Sequence, residues 1–170
     1  MKQLTIFRIL SFILVPIAAL FGILDLLVLL NALGNPAMLF IVFVIAAFVI
    51  YTFASLKFLV KGIDTGRPCS RSLRDWIRVN AYVAVFMGVM SLLNVVSILF
   101  MSETTLREFV TKALEAQANV PPMLNINLFV SIMKIAAGFM AFVSIVLLVH
   151  IVLNFRLMKL YNYLFQEPTA

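Results

Sequence analysis

Four apolar runs, Ile9–Leu30, Ala37–Val60, Val79–Met101 and Leu128–Leu153, occupy more than half of the chain. Each exceeds the roughly 20 residues that cross the hydrocarbon core of a bilayer at about 1.5 Å per residue. Strands of a membrane β-barrel would alternate apolar and polar residues. Stretches such as Met38-Leu39-Phe40-Ile41-Val42-Phe43-Val44-Ile45 show no alternation and read as helix. The expected fold is an all-α integral membrane protein, a four-transmembrane-helix bundle.

With 170 residues, 64% of them hydrophobic, there is no room for a separate soluble domain, and the whole chain is expected to form one membrane domain. Lys2 and Arg8 before an apolar stretch also fit a signal peptide. That stretch is longer than a signal core and no small-residue cleavage site follows it, so an uncleaved first span is expected. Cys69 is the only cysteine, which excludes an intrachain disulfide and a cysteine-based metal cluster.

The basic residues are distributed unevenly. Lys2, Arg8, Lys57, Lys61, Arg67, Arg71, Arg74, Arg78, Arg156 and Lys159 fall on one side of the spans, leaving only Arg107, Lys112 and, within the fourth span, Lys134. The positive-inside rule then places both termini and the second connection in the cytoplasm. The layout is similar to that of small four-span proteins of bacterial inner membranes, which is the expected location. The net charge of +6 is accounted for by topology and by contact with anionic headgroups. No nucleic-acid-binding pattern accompanies it.

Asn31–Pro36 reads as a tight turn between antiparallel spans, with Pro36 opening the next helix. In the basic loop, Gly62 is a candidate left-handed cap, and Ser70 or Ser72 a candidate helix start. Lys61, Arg67, Arg71, Arg74 and the interfacial Trp76 form a candidate contact for lipid or a partner. In the third connection, Thr105 and Glu108 have capping-box spacing, and Leu106–Ala118 is amphipathic. A short interfacial helix is expected there, ended by Pro121-Pro122.

Three polar residues lie inside the spans at matching depth: Asp25, Asn94 and Lys134, each roughly 9–11 Å from the same boundary. A lone charge near mid-membrane costs at least about 2.5–3.5 kcal/mol, which favours burial or pairing. Small residues share their faces, Ala18 and Gly22 beside Asp25, Gly138 and Ala141 beside Lys134, and Ala84, Gly88 and Ser91 beside Asn94. The expectation is a buried polar layer holding an Asp25–Lys134 ion pair. Its functional counterpart is a site for an ion, proton or polar solute.

His150, the only histidine, falls on the face of the fourth span opposite Lys134 and reads as interfacial, with Asn80 at similar depth. One histidine excludes two-histidine haem ligation within a chain, and no cofactor is expected. No nucleophile motif, phosphate loop or metal-ligand spacing is present, so no catalytic activity is expected. The remaining classes are an accessory, scaffold or regulatory subunit with a membrane-protein partner, and a homo-oligomeric channel or carrier built on Asp25, Asn94 and Lys134.

Overall fold

The computed structural model describes residues 2–115 and 125–165. Helix α1 spans Lys2–Ala32 and α2 spans Leu39–Lys57, with a 3-10 turn, Pro36–Met38, before α2 and a π-helical continuation, Phe58–Asp64, after it. Then come α3 (Arg71–Phe100), α4 (Glu103–Glu115), α5 (Ile126–Leu160) and a closing 3-10 turn, Asn162–Phe165. Among the described residues there is no strand. Four stretches, Lys2–Ala32, Pro36–Asp64, Arg71–Phe100 and Ile126–Leu160, are long and apolar enough to cross a membrane.

The helices overrun the apolar runs because polar flanking residues can continue the same hydrogen-bond ladder. Ser70 accepts the amide of Leu73 at 3.2 Å, so the basic segment from Arg71 is the first part of α3 and not a separate helix. The chain divides into two compact units, Met1–Gly88 with Ile145–Ala170, and Val89–Ser144.

In the first unit, α1 contributes Phe7, Leu14 and Ala18 to the core at one-turn and two-turn spacing. Phe48 and Tyr51 of α2, Ile77, Ala81 and Ala84 of α3, and Leu147 and Ile151 of α5 are buried in the same core. The turn between α1 and α2 is set locally: Asn35 Oδ1 accepts the amide of Ala37, and Pro36 occupies the first helical position. α1 and α2 pack directly, with the Phe21 and Phe48 rings edge-on at 5.8 Å. A Cβ on Gly88 would lie 3.2 Å from Leu148, so α3 and α5 approach closely there.

At the basic end of this unit, Arg8 Nη2 donates to Asp64 Oδ1 at 2.6 Å. With side chains 47% and 33% exposed, that pair contributes under about 1 kcal/mol. The amide of Cys69 donates to the Leu164 carbonyl at 2.6 Å, and the Phe58 and Phe165 rings stack at 5.1 Å. The N-terminal segment, the basic loop and the C-terminal turn therefore meet. Gly66, with φ +66°, makes the left-handed turn expected of Gly62. Gly62 lies inside the π-helical segment, where a Cβ would stand 2.9 Å from Cys69 Sγ and 3.1 Å from the Phe58 ring. It is glycine because the loop crosses over it.

In the second unit, Ser102 and not Thr105 caps α4: its Oγ accepts the Thr105 amide at 3.2 Å and its carbonyl accepts the Leu106 amide. The helix starts three residues before the expected Leu106. Leu106 and Val110 are buried against Val130, with Ile98 and Met101 alongside. Arg107 donates to Glu103 at 2.9 Å and to Asn127, joining α4 to the start of α5. Ala118 and Pro121-Pro122 lie outside the described residues.

Candidate functional site

Asp25, on α1, is 9% exposed, and its Oδ1 has no hydrogen-bond partner among the described residues. It belongs to the first unit. Asn94 on α3 and Lys134 on α5 belong to the second unit, and both are exposed. Inward burial therefore describes Asp25 alone of the three. The charge of Lys134 also acts within its own unit. Together with the hydrogen bond and charge of Arg107, which act more strongly, it holds the Glu103 carboxyl below the usual carboxylate range. A Cβ on Gly138 would touch nothing within 4 Å, so the small residue beside Lys134 marks no close packing among the described residues.

A polar centre assembles within the first unit, around His150. Its imidazole is buried, 1% exposed. Nε2 lies 2.9 Å from Ser11 Oγ of α1, and Nδ1 lies 2.8 Å from Tyr51 Oη of α2. Phe7 stacks on the ring at 4.6 Å. One turn further along α5, Asn154 Nδ2 donates to Tyr51 Oη at 3.3 Å and to Ser55 Oγ at 2.8 Å. Asn80 takes no part; its side chain donates to the Trp76 carbonyl of its own helix.

The donors and acceptors of this chain fix one another. Ser11 donates its only hydroxyl proton to the Phe7 carbonyl at 2.8 Å, so its oxygen accepts from the imidazole. The imidazole proton is then on Nε2, leaving Nδ1 to accept from Tyr51. Tyr51 Oη in turn accepts from Asn154. The proton order runs Asn154 to Tyr51 to His150 to Ser11 to the backbone of α1. Three helices distant in sequence are tied through one neutral imidazole. Within this hydrogen-bonded set, Asn154 Oδ1 is buried without a partner among the described residues.

A serine beside a histidine is also the arrangement that activates a hydroxyl nucleophile. Here Ser11 is 2% exposed, its proton is held by the Phe7 carbonyl, and the Phe7 ring covers the imidazole. A substrate could reach the pair only by displacing core residues. Among the described residues no group of three or more His, Cys, Asp or Glu is placed to hold a metal ion.

This centre is not evident from the sequence because its members are neutral and lie on three spans, Ser11 and Tyr51 being 139 and 99 residues from His150. The available signal was the i, i+4 pairing of Tyr51 with Ser55 and of His150 with Asn154, two polar pairs near the basic ends of different spans. Of the basic-loop residues, Trp76 is 56% exposed and Lys61, Arg67 and Arg71 are exposed. Arg74 is half-buried, donating to Asn162 at 3.4 Å with its guanidinium 6.0 Å from the Phe165 ring.

Cys69 sits inside this loop, and burial pushes its thiol pKa up, against the weaker opposing pull of Lys57. Less thiolate is present at any given pH than on a free cysteine. Alkylation of the native protein by iodoacetamide should rise at a higher pH than for the unfolded chain. A native profile at or below the unfolded one would contradict this placement.

No known family matches the chain, and neither a curated protein nor a solved structure is detectably similar to it.

Proposed function

We propose that the protein is a non-catalytic, multi-pass membrane protein that serves as an accessory, scaffold or regulatory subunit. It works through helix packing and its basic loop, with both termini and that loop on the cytoplasmic side of a bacterial inner membrane. The observation that carries this reading is how the core polar groups are used. Ser11, Tyr51, Ser55, His150 and Asn154 bond to one another and to backbone, a use that fixes helix register rather than offering a reactive group to a substrate. The outward faces are apolar: only 17% of an 18-residue apolar stretch of α1, and of α3, is buried within the protein. Lipid or another membrane protein must cover the rest. The grouping of Arg8, the 61–78 loop and the C-terminal turn at one end supports the sidedness drawn from charge.

Gentle extraction from the native membrane, followed by measurement of mass and composition, tests this. Other polypeptides at fixed stoichiometry are expected. Recovery as a lone monomer would overturn the accessory reading.

A second reading, an oligomeric channel or carrier using Asp25, Asn94 and Lys134, is favoured by one observation, the unpartnered Oδ1 of Asp25. It requires a homo-oligomer on extraction and a solute flux that Asp25→Asn abolishes. A flux unchanged by Asp25→Asn would remove it.

A further inference from the structure

On α3, Arg74, Arg78 and Tyr82 recur every fourth residue and so form one row about 12 Å long. Facing this row are Phe155 and Lys159 of α5 and Asn162 of the closing turn, and between the two lies a cavity of about 590 Å³. All six residues belong to the first unit. Arg78 and Lys159 are exposed and make no ion pair among the described residues. Arg74 is held at the groove by Asn162, and its Nε is buried without a hydrogen bond. The nearest acid on it is Asp75, 3.7 Å away. Deeper along both helices, Tyr82 and Phe155 bring their rings to 6.0 Å.

We infer that this groove is a binding site for the headgroup of an anionic phospholipid. Three cations line the same groove, two of them guanidinium groups whose planar donor forks suit phosphate oxygens. The groove then changes character along its length, from cations at Arg74, Arg78 and Lys159 to aromatic rings at Tyr82 and Phe155. That gradient matches an amphiphile with its phosphodiester at the basic end and its acyl chains along the span. A soluble phosphate would use only the first half. Anionic lipids are drawn to basic clusters at the ends of membrane helices, and tyrosine sits at headgroup level. The inference rests on the proposal that the basic end lies at a membrane surface. It replaces a diffuse basic loop with a defined site that uses Arg78 and Lys159, and leaves Lys61 and Arg67 outside.

The test is native mass spectrometry of the full chain in detergent, offered equal amounts of phosphatidylglycerol and phosphatidylcholine with identical acyl chains. Wild type should retain phosphatidylglycerol preferentially. Arg78→Gln with Lys159→Gln should lose that preference by roughly fivefold per cation removed. Lys61→Gln with Arg67→Gln, equal in charge change, should keep it. Lys159→Gln alone, at an exposed position near the end of α5, gives a second reading if the double variant does not fold, and should lose about fivefold. Excess inorganic phosphate should not displace the lipid. No preference in wild type, equal loss in the Lys61/Arg67 variant, or displacement by phosphate would each overturn the assignment. Because the readout uses purified protein, failure here is separable from failure of the accessory reading, which is judged on co-extracted polypeptides.

Discussion

Replacing His150 with alanine is expected to destabilise the protein by about 3–5 kcal/mol, measured by reversible unfolding in mixed micelles. Two losses add. The imidazole is fully buried and stacked on Phe7, so its removal leaves a cavity. The Tyr51 hydroxyl also loses its acceptor and Ser11 loses its donor, in a setting where neither can turn to water. Tyr51→Phe keeps the ring and should cost less, about 1–2 kcal/mol, because it strips partners only from Nδ1 and from Asn154. At a position on the outer surface of the bundle, alanine would be tolerated to within about 0.5 kcal/mol. The substitution therefore separates the two placements.

The second large effect is expected at Gly62. A methyl group there would meet Cys69 Sγ at 2.9 Å and the Phe58 ring at 3.1 Å. Phe58 cannot yield easily, since it is fully buried and stacked on Phe165. Gly62→Ala should cost about 1–3 kcal/mol through overpacking, and Gly62→Val more. Cys69→Ala removes the closer of the two obstacles, so the Gly62→Ala/Cys69→Ala protein should recover part of the loss. If the double variant is no more stable than Gly62→Ala alone, the loop does not cross over Gly62 as described. A left-handed cap at Gly62 would have predicted strain that no change at Cys69 relieves.

Most of the helices could be read directly from the sequence, because long uninterrupted apolar runs admit one common local structure. The turn at Asn35-Pro36 was legible for a similar reason: one side chain accepting from an amide two residues on is enough to set it. The start of α4 was harder. The hydroxyls of Thr104 and Thr105 both lie within hydrogen-bond reach of Ser102 Oγ, and the capping one is decided by where the chain leaves α3. The π-helical end of α2 was not legible at all, since it depends on packing under the Cys69 loop. The polar centre shows the limit most clearly. Asp25 announced itself by its charge, yet the groups that unite α1, α2 and α5 are neutral and individually unremarkable in a span. Ser11 and Tyr51 lie 139 and 99 residues from His150, so only the fold brings them into register.

Ser11, Tyr51, His150 and Asn154 act as one clamp between helices. A double-mutant cycle on Tyr51→Phe and His150→Leu, read as unfolding free energy in mixed micelles, tests it most directly. The clamp predicts a coupling energy of about 1–2 kcal/mol, with the double variant losing less than the sum of the singles. Additive losses would mean that the two side chains are not engaged with each other, and the clamp would be contradicted.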